Sequence, residues 1–160
     1  MKANQTKTNA VRALDRASIT YELRNYELAA EDFNAEAVAA LLGMAPETIF
    51  KTLIAHGDVT GHLFALVPAS SELDLRALAT AAGNKRVELV PLRDVLDLTG
   101  YMRGAVTPLA AKKAYPVFID ETAEIWPQIG ISGGMRGLQI VLAPDDLLRI
   151  TGAQLANIAR

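Results

Sequence analysis

The chain of 160 residues contains no cysteine. Disulfides, thiolate metal sites and a cysteine nucleophile are therefore excluded. Histidine is nearly as scarce. His56 and His62 are the only two, too few for a histidine-rich metal site, so no metal and no cofactor is expected. Neither histidine stands at a triad-like spacing from a serine and an aspartate, and triads are assembled in space rather than in sequence. There is no excess of positive charge. A formal net charge of −2 argues against a generally basic nucleic-acid binder and against a DNA partner, while leaving room for a local basic patch. No apolar run approaches membrane-spanning length, and the opening residues MKANQTKTNAVRAL lack the apolar core of a secretion signal. A soluble, cytoplasmic protein without a membrane partner is expected.

What the chain does contain is ordinary for a globular protein: 51% hydrophobic and 21% charged residues, in a length that suits one domain with a proper core. No repeat, low-complexity segment or linker divides it, so residues 1–160 are expected to form a single domain. Residues 6–17 carry apolar side chains at helical spacing, and the extended stretch ITYELRNYEL follows. Asn34 is placed to cap the helix AEAVAALL, with Gly43 as its stop. IFKTLIAHG and HLFALVP read as two strands of a hairpin turning through Asp58–Gly61. Ser71 or Asp74 can cap DLRALATAAG; then come the strand RVELV, the helix PLRDVLDLTG and the short strand VFID. GLQIVLAP is a strong strand, and PDDLLRITG a helix with acid in its first turn. Interspersed strands and helices with a hairpin predict an α/β or α+β domain, a mixed, curved sheet flanked by helices.

Two glycine-rich segments stand out: GYMRGAVTP, running from Gly100 to Pro108 through Tyr101, Gly104 and Thr107, and SGGMRGL, running from Ser132 through Gly133, Gly134 and Arg136. Glycines let backbone N–H groups converge on an anion or oxyanion, and each segment's arginine could meet a phosphate bidentately. The alternative is that they form turns and bulges beside strands. Neither matches a Walker A loop or a dinucleotide fingerprint, so phosphoryl transfer has no support. Tyr26 and Tyr101 lie near these segments and serve either packing or the site.

Lys51 sits inside the apolar strand IFKTLIAHG. Alternation places it with Ile49, Leu53 and Ala55. It either snorkels to water from the strand end or has a function. His56 reads as a solvent-facing strand end and His62 as a turn residue, while Lys112 and Lys113 form a solvated loop or, with Lys85, Arg86 and Arg103, a phosphate-facing patch.

In combination, IFKTLIA, GYMRGAVTP, SGGMRGLQIVLAP and DDLLRITGA resemble the YbaK/EbsC type of Cys-tRNA(Pro) deacylase, over nearly the whole chain. The resemblance implies a mixed, strongly curved sheet with surrounding helices, shared with the editing domain inserted in some prolyl-tRNA synthetases. It implies removal of cysteine from mischarged proline tRNA, with the acceptor end of the tRNA and prolyl-tRNA synthetase as partners. It also implies that Lys51 is the functional lysine, that Gly104 faces the aminoacyl ester, and that Ser132, Gly133 and Gly134 line the pocket. Tyr26 matches a tyrosine after the first helix; Tyr101, Thr107, Pro108 and Arg136 fall in the matching loops as substrate-binding positions. Ala105 stands where relatives often have a second glycine, and Gln139 where relatives vary. The family pattern implies substrate assistance: the bound cysteine's thiol attacks its own ester and leaves as a thiolactone, a step that needs mainly positioning. Other readings are a deacylase for Ala-tRNA(Pro) or another mischarged tRNA, a non-catalytic aminoacyl- or nucleotide-binding module, and a Schiff-base lysine, which lacks the phosphate signature such cofactors bring.

Overall fold

A computed structural model describes residues 7–29 and 32–160. Thr8 accepts a hydrogen bond from the Val11 amide and starts helix α1 (Asn9–Arg16), whose buried face is Ala10, Val11 and Leu14. Position 6, the predicted start of this helix, lies outside the described residues. Asn34 caps α2 (Ala35–Leu42) through Ala37, and Asp74 rather than Ser71 caps α3 (Leu75–Ala82) through Ala77. Gly43, as expected, and Gly83 end these two helices in left-handed conformations. α4 (Leu92–Thr99) follows Pro91, and α5 (Pro144–Thr151) opens on proline with Asp145 and Asp146 in its first turn.

The strands are β1 (Tyr21–Asn25), β2 (Phe50–Gly57), β3 (Gly61–Pro68), β4 (Val87–Leu89), β5 (Val117–Asp120), β6 (Ile129–Ser132), β7 (Leu138–Leu142) and β8 (Gln154–Ala156). The predicted single mixed sheet is divided in two. One has the order β4-β2-β3-β5-β8 and the other β1-β7-β6. The larger sheet is mixed, since β5 runs parallel to both β3 and β8. The β2–β3 hairpin is in full register from Phe50 opposite Pro68 to Gly57 opposite Gly61. His62 therefore belongs to a strand, directly opposite His56, and not to the turn.

The main core lies between the sheets. Phe50, Ile54, Phe64, Leu66 and Ile119 of the larger sheet meet Ile129, Ile131, Leu138, Ile140 and Leu142 of the smaller one. The outer face of the larger sheet, with Ala55, Leu63, Ala65 and Val67, packs on Leu78 and Ala79 of α3. The sheets touch where Ile49 bridges Gly130. A Cβ at Gly130 would fall 2.5 Å from Ile49 Cδ1, so a larger residue there would displace the end of the Ile49 side chain. This seam fixes the start of β2, and with it Lys51, against β6 and β7.

Candidate active site

Beside the seam lies a cleft of about 450 Å³, walled by β2, the start of α2, the β4–α4 connection and the loop at Arg103–Val106, with Gln139 of β7 contributing. Lys51 and Gly104 both line it. The lysine is half-buried and makes no hydrogen bond or ion pair among the described residues. It shares the wall with Ile49 and Leu53, the residues predicted to flank it. Its ammonium group and Arg103 give the cleft two cations, against Glu36 as its one lining carboxylate among the described residues. Such a balance favours an anionic or carbonyl-bearing ligand.

Gly104 adopts φ +88°, and a Cβ there would lie 2.7 Å from Phe33 Cε1. The loop backbone thus rests directly on the Phe33 ring, and no protein acceptor takes the Gly104 N–H among the described residues. Arg136 stabilises the same arrangement. Its Nε donates to the Arg103 carbonyl at 2.7 Å, and its guanidinium lies 5.7 Å from the Phe33 ring centroid. Tyr26, itself buried, flanks Phe33 at 6.1 Å.

The remaining predicted site residues surround this wall without lining the cleft. The Tyr101 hydroxyl donates to the Leu109 carbonyl at 2.5 Å, Thr107 is fully buried and accepts from the Leu109 amide, and Pro108 is half-buried beside them. The Gly133 amide donates to the Leu138 carbonyl at 2.9 Å, and the Gly134 amide to Ser132 Oγ at 3.2 Å. These two amides are therefore already engaged within the loop. Thr8 ties it to the first helix, its hydroxyl donating to the Gly133 carbonyl at 2.6 Å. Burial raises the pKa of Tyr26 and of Tyr101; for Tyr26 the Gly137 backbone and Arg136 oppose that shift. Both stay neutral phenols and supply no base near neutral pH.

Sequence reasoning missed Phe33, Glu36 and Thr52 as lining residues. Thr52 Oγ1 and Gln139 Oε1 are buried without a hydrogen-bond partner, a condition that costs about 1–3 kcal/mol for each group. A polar residue interrupting the apolar run of LQIVL was the available signal for Gln139. Among the described residues, no group of three or more histidine or acidic side chains could hold a metal ion.

The sequence profile of the aminoacyl-tRNA editing domain matches residues 30–150. The chain belongs to the aminoacyl-tRNA editing domain family. This membership places it among the aminoacyl-tRNA deacylases. An Enterococcus faecalis (strain V583) protein, provisionally named Cys-tRNA(Pro)/Cys-tRNA(Cys) deacylase EbsC, is 41% identical over 157 residues, or 98% of this chain and 96% of that one. The multifunctional Ser/Thr-tRNA deacylase ProXp-y of Escherichia coli K12 is 30% identical over 78% of this chain and 77% of its own. A crystal structure described provisionally as a trans-editing enzyme for prolyl-tRNA synthetase superposes with a TM-score of 0.81 at 26% identity, covering 98% of this chain and 99% of that one. The fold class expected from the resemblance is observed, with its strands divided between two sheets.

Proposed function

We propose that the chain, acting as one editing unit over residues 1–160, removes cysteine from mischarged Cys-tRNA(Pro) by substrate-assisted cyclisation. The observation that carries this reading is the lining of the cleft: among the described residues it offers a lysine but no serine, cysteine, histidine or tyrosine, and its one hydroxyl, on Thr52, is buried with no hydrogen-bonded base to activate it. A nucleophile is still required, and a cysteinyl ester brings its own. The thiol sulfur attacks the ester carbonyl, the acyl–oxygen bond breaks, the ribose oxygen leaves with the proton, and cysteine departs as a thiolactone. Holding thiol and carbonyl together is worth about 7 kcal/mol or more in favourable intramolecular cases.

Lys51 binds the terminal nucleotide's phosphate or polarises the ester, and the Gly104 N–H holds the developing oxyanion. Tyr26, Tyr101, Thr107, Pro108, Ser132, Gly133, Gly134 and Arg136 shape and brace the wall against which the acceptor end lies. The relative at 41% identity bears a cysteinyl-tRNA name, which supports the choice of amino acid. The neighbouring trans-editing structure supports prolyl-tRNA synthetase as the partner that delivers the tRNA. The setting is cytoplasmic, where that synthetase acts; no helix among the described residues is long and apolar enough to cross a membrane.

Deacylation of Cys-tRNA(Pro) and Ala-tRNA(Pro), side by side with wild type and Lys51→Ala, tests the reading. Expected is selective loss of cysteine, a thiolactone product, and a drop of about 100-fold or more in the variant with its fold intact. Wild-type rates in a folded Lys51→Ala protein would remove the lysine from the mechanism. Selective release of free alanine would move the activity to the sister substrate.

A further inference from the structure

Two turns of the chain share the residues Met-Arg-Gly. In the first, the Ala105 amide donates to the Met102 carbonyl at 2.9 Å, closing a β-turn with Arg103 and Gly104 at its centre. In the second, the Leu138 amide donates to the Met135 carbonyl at 3.3 Å around Arg136 and Gly137. The glycines take φ +88° and +89°, and neither arginine has a positive φ. Both are therefore type II turns. The Arg136 side chain joins them, its Nε donating to the Arg103 carbonyl at 2.7 Å. The second turn is itself anchored beside the smaller sheet. The Tyr26 amide donates to its Gly137 carbonyl at 3.0 Å, and the Gly133 amide to the Leu138 carbonyl at 2.9 Å.

Type I and type II turns differ by a flip of the central peptide, and glycine as the third residue admits both. In the first turn that peptide carries the Arg103 carbonyl and the Gly104 N–H. It is trans, so the two groups point in opposite directions. Arg103 and Gly104 line the cleft, and Arg136 does not. We propose that Arg136 is a positioning residue: its hydrogen bond turns the Arg103 carbonyl out of the cleft, holds the type II form and so presents the Gly104 N–H to the cleft. The proposal rests on the deacylase reading for the oxyanion that this N–H meets. A flipped peptide would bring a carbonyl oxygen, with its partial negative charge, to the place where that oxyanion develops. A guanidinium suits the task because a charged donor binds a carbonyl more strongly than a neutral one. The Phe33 ring, 5.7 Å from the guanidinium, keeps it in place.

The test compares wild type with Arg136→Met, which keeps an apolar stem against Phe33 and removes the donor. The variant should lower kcat for Cys-tRNA(Pro) about tenfold or more and leave KM within about twofold, because the lost contact acts on the transition state. On nitrogen-15-labelled protein without ligand, the Gly104 amide should be displaced in shift or in exchange in Arg136→Met, and static in wild type. A raised KM with unchanged kcat would make Arg136 a contact to the tRNA and overturn the proposal. A Gly104 signal identical in the two proteins would overturn it as well. Should Arg136→Met not fold, wild type alone decides. There the Arg136 Nε–H should exchange with water more slowly than those of exposed arginines, and equal exchange would remove the hydrogen bond on which the proposal stands. The amide signals need no turnover. A wild type inert towards Cys-tRNA(Pro) would therefore refute the proposed reaction, while the Gly104 signal would still judge the hold of Arg136 on the turn.

Discussion

Gly104 carries two requirements at one position. Its φ of +88° is a conformation in which a side chain is strained, and a Cβ would press on Phe33. Gly104→Ala should cost about 1 kcal/mol for the backbone alone, and more because the ring must move. The expected outcome is a lowered melting temperature and slower deacylation. Adding Phe33→Leu should recover the steric part and not the backbone part. Full recovery in the double variant would mean that φ at 104 does not matter. Asp120 is the comparable case away from the cleft. Only 1% exposed, its carboxylate accepts from the Thr122 amide and hydroxyl on one oxygen and from the Ile158 and Ala159 amides on the other. Asp120→Ala orphans three backbone donors, that of Ile158 in a buried residue, and should destabilise by about 3 kcal/mol in urea unfolding. A change below about 1 kcal/mol would show that water replaces the carboxylate.

At the scale of elements, the β2–β3 hairpin places His56 and His62 opposite each other with ring centroids 4.8 Å apart. Burial, then the charges of His56 and Lys113, hold the His62 pKa below its ordinary 6.5. The unfolded chain then takes up a proton at a higher pH than the folded one, so stability is lost as pH falls through about 6.5 towards the folded value. The melting temperature should decline as pH falls below the ordinary histidine value of 6.5, and His62→Phe should flatten that decline; an unchanged slope would remove His62 as its cause. The strong elements were legible in the sequence because their signals were local. Asn34, Gly43 and Asp74 bound helices by hydrogen bonds that span a few residues. β6 and β8 were not legible. IGIS and QLA are short, and their pairings, with β7 and β5, come from distant chain. The site divided in the same way. Lys51 betrayed itself by breaking an apolar alternation, whereas Phe33 matters through the approach of residue 104, which spacing does not encode.

Across the whole molecule, a net charge of −2 sets a limit on unaided tRNA binding. Phosphate neutralisation dominates such affinity, and each contact steepens its salt dependence. The isolated protein should bind tRNA weakly, with a shallow slope of log K against log salt, and addition of prolyl-tRNA synthetase should raise deacylation at low enzyme concentration. Nanomolar, tRNA-selective binding by the protein alone would contradict this. The pairing of the sheets has another consequence, one of timing. β2 and β3 are neighbours in sequence, so their hairpin is complete soon after it leaves the ribosome. β1, by contrast, pairs with β7, Tyr21 facing Leu142. At about 5–20 residues per second of synthesis, Tyr21 waits roughly 6–24 s for its partner strand to be made. Through that interval the edge of β1 has no native partner. The nascent chain is therefore open to misassembly from its front end, and slowing translation ahead of residue 142 should lower soluble yield more than slowing it afterwards.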